Sequence, residues 1–341
     1  MTKAVVAGPF AAPDHSLVGH PERPSRVTAA AAGIDALGLD RDRIDVEPRL
    51  ATVDELSRVH DASYLRELEA FCAGGGGRLD PDTFAGTESW TAARQASGAG
   101  LAAVDALAAG RADVAFVIAR PPGHHALADR AMGFCLVNNV AVSASALADA
   151  GERVLIVDWD VHHGNGTQAI FWNDDRVCYV SMHQDRFYPG TGAVDEVGGP
   201  DALGLTVNIP LPARATGDLM ERALDEVVAP ITERFAPTWV LVSAGFDAHR
   251  DDPLADLALS SGDFARLATR VRAFAPASGR LAFFLEGGYD LEAIQKSVTA
   301  TLGAIVGERH ENEPATNGGP GAEAVSRARS VHEDLLRHQQ W

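Results

Sequence analysis

The sequence predicts a single α/β domain: a doubly wound, mostly parallel β-sheet with helices on both faces. Six short runs rich in Val, Ile, Leu and Phe are unbroken rather than alternating between apolar and polar residues. Unbroken apolar strands are typical of parallel sheets that are covered on both faces. Longer segments rich in Ala and Leu separate these runs, as they do in α/β folds. The apolar content of 46% is sufficient for the core that such a sheet requires.

The strands are predicted at the six apolar runs. In chain order these are DVAFVIA at 113–119, RVLIVD at 153–158, VCYVS at 177–181, LTVNI at 205–209, TWVLVS at 238–243 and LAFFLE at 281–286. Helix signals flank several of them. Thr52 with Glu55 forms a capping box, the segment at 91–110 stops at Gly110, and Asp290 opens the helix LEAIQKSVTATLGAIV.

The domain is expected to extend from residue 1 to residue 307, with a flexible loop at the four glycines of 74–77. The segment ENEPATNGGPGAE at 311–323 is rich in Pro, Gly and Asn, which predicts a loosely held polar C-terminal tail over 308–341. The last stretch of that tail, AVSRARSVHEDLLRHQQW, is compatible with one helix.

The composition argues against several classes of partner. With 29 Lys and Arg against 47 Asp and Glu, the net charge is −18, so the long-range field repels nucleic acid. Cys72, Cys135 and Cys178 form no CxxC pair, which favours reduced thiols and a cytoplasmic location. The N-terminal residues are too weakly apolar for a secretory signal, and no run approaches the roughly 18 apolar residues of a membrane helix. We therefore expect no nucleic-acid or membrane partner.

Chemically reactive residues follow four of the predicted strands. The segments are RPPGHH at 120–125, WDVHHGNG at 159–166, AGFDAHRDDP at 244–253 and GGYD at 287–290. Because ligands of open α/β sheets bind beyond the carboxyl ends of the strands, we expect these segments to meet at one edge.

The spacing after the second predicted strand indicates a metal site. Side chains two residues apart in an extended chain share a face, so Asp158, Asp160 and His162 point together, whereas Trp159, Val161 and His163 point away. A buried carboxylate beside a buried imidazole is costly unless a cation or hydrogen bonds compensate. Asp160 and His162 can therefore hold one divalent ion.

Asp247 is the best candidate for the third ligand, because it follows the strand at 238–243 at the same predicted edge. Two carboxylates and one imidazole leave a position open for water and substrate, as in catalytic zinc sites. Zinc is the first choice, and iron(II) or cobalt(II) would also suit these ligands. Alone, an aspartate after a strand is more often a turn former or helix cap, and a lone histidine is more often structural. The combination of DxDxHHGNG with PPGHH is much harder to explain in that way.

These motifs resemble the histone deacetylase superfamily, which includes class II deacetylases, bacterial histone-deacetylase-like amidohydrolases and acetylpolyamine amidohydrolases. The resemblance covers nearly the whole chain before residue 307. In order, the matching segments are GHPERPSR at 19–26, RPPGHH at 120–125, GFCLVNN at 133–139, VDWDVHHGNGTQ at 157–168, HQDRFYPGTG at 183–192, SAGFDAHRDDPL at 243–254 and EGGYD at 286–290. HPERP, together with Asn165 where class I members usually carry an aspartate, makes the chain similar to the class II branch.

The resemblance implies an arginase-like fold and a zinc-dependent amidohydrolase that removes an acetyl or other acyl group from an amine through metal-activated water. It places the zinc on Asp160, His162 and Asp247. It makes His124 and His125 the tandem catalytic histidines, Asp158 and Asn165 their partners, and Tyr289 the catalytic tyrosine that donates a hydrogen bond to the oxyanion. Whether one histidine serves as both base and acid, or the two divide these roles, stays open.

The resemblance also implies a substrate tunnel and a second cation. Gly133, Phe134, Tyr188 and Leu254 should line the tunnel, although without the family the two aromatic residues would be read as ordinary core. Leu254 stands where a glutamate marks polyamine-selective relatives, which mildly favours acyl-lysine-like substrates over acetylpolyamines. A structural potassium ion is implied at a set of five positions: Asp158, Asp160, His162, Ser181 and Met182.

Two alternatives come from other functional classes. An arginase-like ureohydrolase shares the fold but needs a two-metal cluster in DxHxD-type runs, which the sequence lacks. A non-catalytic acyl-ligand binder would keep the pocket but has no use for Tyr289 and paired histidines. The physiological amine, the acyl chain length and the oligomeric state are not determined by the sequence, and a homo-oligomer is compatible with it.

Overall fold

The computed structural model describes residues 2–8, 15–47, 49–307 and 313–338 of the chain. Its strands are β1 Ala4–Ala7, β2 Arg43–Val46, β3 Gly77–Arg78, β4 Phe84–Ala85, β5 Val114–Val117, β6 Val154–Asp158, β7 Val177–Gln184, β8 Thr206–Leu211, β9 Trp239–Ala244 and β10 Leu281–Leu285. Its helices are α1 Ser25–Asp35, α2 Val53–Leu56, α3 Ala62–Ala73, α4 Ser89–Ala108, α5 Asn139–Asp149, α6 Asn165–Ile170, α7 Gly217–Ala223, α8 Ala229–Phe235, α9 Ser261–Phe274, α10 Leu291–Val306 and α11 Ala322–His338, with a π-helical turn at Leu224–Val228.

Eight strands form one sheet in the order β2-β1-β5-β10-β9-β6-β7-β8, and all neighbouring pairs are parallel. β3 and β4 form a separate short antiparallel pair. The six predicted strands are all present as β5 to β10, and the doubly wound parallel sheet is confirmed. The sequence did not predict β1 and β2. β1 is only four residues long, and β2 has the sequence RIDV, in which charged residues interrupt the apolar pattern at the sheet edge.

The sheet separates two apolar layers, as unbroken apolar strands require. In β6, Leu155 and Val157 face one layer, while Val154 and Ile156 face the other. Helices α1, α9 and α10 pack together on the first side, and α4 packs with α5 on the second. Because both faces of the central strands are covered, polar groups on these strands are confined to their ends.

The helix signals in the sequence mark real helix ends. Thr52 Oγ1 accepts a hydrogen bond from the backbone amide of Glu55 at 3.2 Å, and Glu55 Oε2 accepts one from the amide of Thr52 at 2.8 Å. Asp290 caps α10 through Oδ1, which accepts from the amide of Ala293 at 2.8 Å. Gly110 follows α4 with a φ of 67°, a conformation in which glycine carries no steric cost.

The described part of the C-terminal segment is not loosely held, so that expectation was wrong for residues 313–338. Glu313 accepts a hydrogen bond from the amide of Ser261 at 3.0 Å, and Thr316 Oγ1 donates to Asp263 at 2.8 Å. α11 packs against β8 and α7, with Val325 and Ala328 buried. Residues 308–312 and 339–341 of the predicted tail lie outside the described residues, and the domain boundary at residue 307 stays a prediction.

Within the described ranges, no helix combines the length and apolar character needed to cross a lipid bilayer. The three cysteines are free and buried.

We expect Val325→Ala to lower the free energy of unfolding by about 2 kcal/mol, because it removes two buried methyl groups beneath α11 and leaves a cavity. Urea denaturation would measure the loss. The matched control, Ser330→Ala, lies on the exposed side of the same helix and should change stability by less than about 0.5 kcal/mol. Equal stability of the two variants would contradict the packing of α11 on the sheet.

Candidate active site

The four reactive segments meet beyond the carboxyl ends of β5, β6, β9 and β10, as their positions in the sequence predicted. They surround a cavity of about 240 Å³. The cavity is lined by Asp82, Pro122, His124, His125, Gly133, Phe134, His162, Phe187, Tyr188, Leu254, Gly287 and Tyr289.

Asp160, His162 and Asp247 each place one ligand atom within 4.8 Å of the others. Nδ1 of His162 lies 3.1 Å from Oδ1 of Asp160 and 3.2 Å from Oδ2 of Asp247. Both carboxylates are fully buried. Burial alone would lower the pKa of His162, but the two carboxylates outweigh it and raise the pKa to about 10. The raised pKa reflects the negative potential that the two buried carboxylates create at His162, and such a potential favours a bound cation.

The hydrogen bonds of these carboxylates leave one oxygen without a donor. Oδ1 of Asp247 accepts from the amide of Val161 at 2.9 Å, and Oδ2 of Asp160 accepts from the amide of Gly287 at 2.7 Å. None of the described residues donates a hydrogen bond to Oδ2 of Asp247. A buried carboxylate oxygen is seldom left without a partner, so the three side chains fit a divalent metal such as zinc.

Glycine makes the close approach of these carboxylates sterically feasible. A Cβ atom at Gly287 would come within 2.0 Å of Oδ2 of Asp247, and one at Gly245 within 2.1 Å of Oδ2 of Asp160. Both distances are far shorter than any van der Waals contact. The glycines of SAGFD and EGGYD therefore provide the space into which the carboxylates extend.

The period-two alternation predicted for 158–163 is observed. Asp158 and Asp160 point into the site, whereas Trp159 and Val161 belong to the apolar core. The ring of His163 binds outside the site, with Nδ1 at 2.8 Å from Oγ1 of Thr191.

His124 and His125 stand side by side, with ring centres 4.0 Å apart, but they have different partners. Nδ1 of His124 lies 3.0 Å from Oδ2 of Asp158, while Nδ1 of His125 lies 2.8 Å from Oδ1 of Asn165. Burial lowers the pKa of both rings. For His124 the carboxylates of Asp160 and Asp158 outweigh burial and raise the pKa to about 10. The pKa of His125 stays well below its usual value, because burial is reinforced by repulsion from His124.

Tyr289 lies at the same cavity, and its side chain is held from two sides. The guanidinium of Arg26 is 5.0 Å from the centre of the ring, and Phe134 packs edge-on at 5.9 Å. Burial raises the pKa of the Tyr289 hydroxyl well above its usual value, despite the nearby charge of Arg26. The hydroxyl is therefore a proton-bearing donor at neutral pH.

The predicted tunnel residues Gly133, Phe134, Tyr188 and Leu254 all line the cavity. Tyr188 meets the ring of His125 edge-on at 5.2 Å. Leu254 is 37% exposed, whereas most large apolar side chains of the described residues are buried. Phe187, which was not singled out from the sequence, stacks on His162 with ring centres 5.3 Å apart. Its only sequence signal is its position directly before Tyr188.

Of the five candidate potassium positions, Asp160 and His162 are in contact, and Asp158 and Ser181 are neighbours in adjacent strands. Ser181 is the register partner of Asp158 in the β6–β7 pair, and Met182 follows it in β7. Oγ of Ser181 forms a hydrogen bond with Nδ1 of His183 at 2.9 Å.

Three further residues support the site and were not singled out from the sequence. Glu286 is buried beneath the histidines, and its Oε2 accepts from the amide of Gly123 at 2.6 Å. Arg26 donates from Nε to the carbonyl of Gly288 at 2.5 Å. Asp252 accepts from the amide of Tyr289 at 2.6 Å.

A second group with metal-like ligands, His249, Asp251 and Glu313, is occupied by hydrogen bonds. Nε2 of His249 lies 2.8 Å from Oε2 of Glu313, and the amide of Asp251 donates to Nδ1 of the same ring at 3.2 Å. Arg250 also pairs with Glu313. With both ring nitrogens engaged and a guanidinium adjacent, this group acts as a tie between the loop after β9 and the C-terminal segment.

Comparison with known proteins identifies the family. The Histone deacetylase domain matches residues 20–305. Histone deacetylase 15 of Arabidopsis thaliana is 41% identical over 300 residues, which are 86% of this chain and 54% of that protein. The chain thus corresponds to about half the length of that relative. The histone deacetylase-like amidohydrolase of Pseudomonas aeruginosa is 42% identical over 277 residues, covering 80% of this chain and 73% of that protein.

Solved structures agree with these sequence matches. The crystal structure of the HDA15 HD domain superposes with a TM-score of 0.89 at 35% identity and covers 99% of both chains. This match confirms the deacetylase-type α/β fold that the motifs implied. Because the family match spans residues 20–305 and the relatives are about 40% identical over most of the chain, the chain carries a deacetylase domain and belongs to the histone deacetylase family.

Proposed function

We propose that this protein is a zinc-dependent deacetylase that hydrolyses the amide of an acylated amine, with acyl-lysine-like side chains as the preferred substrates. Membership of the family implies an acylated amine as substrate. The observation that carries the proposal is that His124, His125 and Tyr289 line one cavity together with His162, which belongs to a group of three side chains that could hold a metal ion.

Asp160, His162 and Asp247 would hold the zinc, which when bound lowers the pKa of a water molecule and polarises the amide carbonyl. The contact between His125 and Asn165 supports one of the two histidines as the proton acceptor. If the amide oxygen of Asn165 faces His125, as the 2.8 Å contact indicates, Nδ1 of His125 carries the hydrogen. Nε2 of His125 then has a free lone pair, and we propose that it accepts the water proton and afterwards delivers it to the leaving amine.

His124 has a different role in the proposed mechanism. Its partner Asp158 is a carboxylate, which favours the imidazolium form. A permanent positive charge next to His125 stabilises the negative charge that develops on the substrate as attack proceeds. We therefore propose that His125 moves the proton and that His124 acts electrostatically.

Tyr289 would donate its hydroxyl hydrogen to the oxyanion. A donor of this kind is effective when it is fixed in advance and shielded from water. The buried ring, held between Arg26 and Phe134, meets both conditions.

The shape of the cavity supports a linear substrate. Phe134, Phe187 and Tyr188 supply aromatic walls that suit the aliphatic stem of an acylated amine. Asp82 adds one carboxylate to the lining, and a polyamine would offer it an ammonium group. That carboxylate makes acetylpolyamine deacetylation the second candidate. The arginase-like and non-catalytic alternatives receive no support from the comparisons.

We further propose a structural potassium ion at Asp158, Asp160, His162, Ser181 and Met182. The proposed location is the cytoplasm, because a reducing compartment would preserve the three free thiols. The name of a rice relative, Histone deacetylase 10, chloroplastic, shows that the family is not confined to that compartment.

Tyr289→Phe should reduce the kcat for an acetyl-lysine peptide by roughly 100- to 1,000-fold, since it removes one donor to the oxyanion. Zinc content, measured by elemental analysis, should be unchanged. Tyr64→Phe is the matched control, because the Tyr64 hydroxyl donates to the carbonyl of Leu136 rather than entering the cavity. Near-normal turnover by Tyr289→Phe would refute the assigned role.

The wild-type protein should bind one zinc per chain and lose turnover when a chelator removes it. Asp247→Ala should weaken zinc binding by at least about 10-fold, because it deletes one of three ligands, whereas the exposed Asp201→Asn should bind normally. Two metals per chain would instead indicate an arginase-like cluster.

A substrate panel tests the preferred amine. We expect a higher kcat/KM for acetyl-lysine peptides than for acetylputrescine or acetylspermidine, because Leu254 supplies an apolar and not an anionic contact at the cavity. A preference for the acetylated polyamines would identify the second candidate as correct.

A further inference from the structure

We propose that Asp252 is a positioning residue for Tyr289: its carboxylate fixes the backbone of the tyrosine and ties it to Leu254 in the cavity lining. The inference rests on the proposed function, in which Tyr289 donates a hydrogen bond to the oxyanion. Asp252 itself does not line the cavity.

The Asp252 carboxylate uses its two oxygens for two different segments. Oδ2 accepts from the amide of Tyr289 at 2.6 Å, and Oδ1 accepts from the amide of Leu254 at 2.9 Å. The side chain is buried, with 6% of the residue exposed. A buried carboxylate is costly unless hydrogen bonds compensate, and here backbone amides provide them.

The segment that Asp252 holds needs external support. Gly287 and Gly288 precede Tyr289, and Gly288 adopts a φ of 113°, a conformation that favours glycine. Two successive glycines give the chain unusual conformational freedom. The placement of the tyrosine ring therefore depends on the groups that hold this backbone.

Three other residues hold the segment, but at the glycines. Asp160 accepts from the amide of Gly287 at 2.7 Å, and the amide of Phe246 donates to the carbonyl of Gly287 at 2.9 Å. Arg26 donates to the carbonyl of Gly288 at 2.5 Å. Asp252 differs from them because it binds the amide of Tyr289 itself. Its loss would remove this hydrogen bond from the backbone of Tyr289, although the ring would keep its contacts with Arg26 and Phe134.

The loop that carries Asp252 is itself anchored. The amide of Asp252 donates to the carbonyl of His249 at 2.9 Å, and the ring of His249 is tied to Glu313 at 2.8 Å. Asp247 lies five residues earlier on the same loop. One loop thus connects a proposed zinc ligand, the tyrosine and Leu254.

A carboxylate suits this position better than an amide. Two N–H donors approach two separate oxygens, whereas an asparagine would turn its NH₂ group toward one of them. Asp252→Asn is nearly isosteric and should still lose one of the two hydrogen bonds. Asp252→Asn is therefore the variant of choice, because it is less disruptive than Asp252→Ala and tests the hydrogen bonds even if Asp252→Ala does not fold.

The first test is kinetic. Asp252→Asn should lower the kcat for an acetyl-lysine peptide by roughly 10- to 100-fold, with a smaller change in KM and unchanged zinc content, because a misplaced catalytic group slows the chemical step. The matched control is the exposed neighbour Asp251→Asn, which removes the same charge. Combined with Tyr289→Phe, Asp252→Asn should cause less than about a twofold further loss. A full additional loss in that background, or normal turnover by Asp252→Asn alone, would overturn the proposal.

The second test does not depend on activity. Hydrogen–deuterium exchange followed by mass spectrometry should show faster exchange at the amide of Tyr289 in Asp252→Asn than in the wild type or Asp251→Asn. Unchanged exchange would refute the positioning role whatever the kinetics. Faster exchange in a protein that hydrolyses no acylated amine would uphold the positioning role and reject the proposed function.

Discussion

The structure of the site depends on the confinement of two buried carboxylates, Asp160 and Asp247, around a single imidazole. Two fully buried carboxylates so close together are unfavourable unless positive charge is supplied. His162 compensates only in part, and one oxygen of Asp247 has no hydrogen-bond donor among the described residues. A divalent cation would resolve this imbalance. The glycines at 245 and 287 serve the same arrangement, because a larger residue at either position would collide with a carboxylate.

The sheet explains why these groups are close together. The four strands that precede the reactive segments, β5, β10, β9 and β6, are consecutive neighbours at the centre of the sheet. They are parallel, so their carboxyl ends lie at one edge, with the histidine pair and the proposed metal ligands on adjacent loops. In sequence these segments are separated by up to about 160 residues. The topology, and not local sequence, therefore assembles the site.

The sequence could predict the features that depend on local pattern, but not those that depend on the topology of the sheet. Unbroken apolar runs located six of the eight sheet strands, and period-two spacing placed Asp158, Asp160 and His162 on one face. Period and spacing are local properties and carry no information on strand order or long-range contacts. Arg26 contacts Gly288 across more than 250 residues, so GHPERPSR gave no hint of that partner. The C-terminal segment was misjudged for the same reason: its composition is polar, but its contacts are with α9 and β8.

The two histidines illustrate how partners, rather than residue type, determine chemical roles. Two imidazolium rings with centres 4.0 Å apart would repel each other, so before a proton is transferred only one of the two readily carries charge. Asp158 is a carboxylate and favours the charged form of His124, whereas the amide of Asn165 only orients His125. An aspartate at 165 would offer both rings the same stabilisation and reduce the difference between them. The neutral residue thus helps to keep His125 uncharged beside a charged His124, which is the division of roles that we propose for the pair.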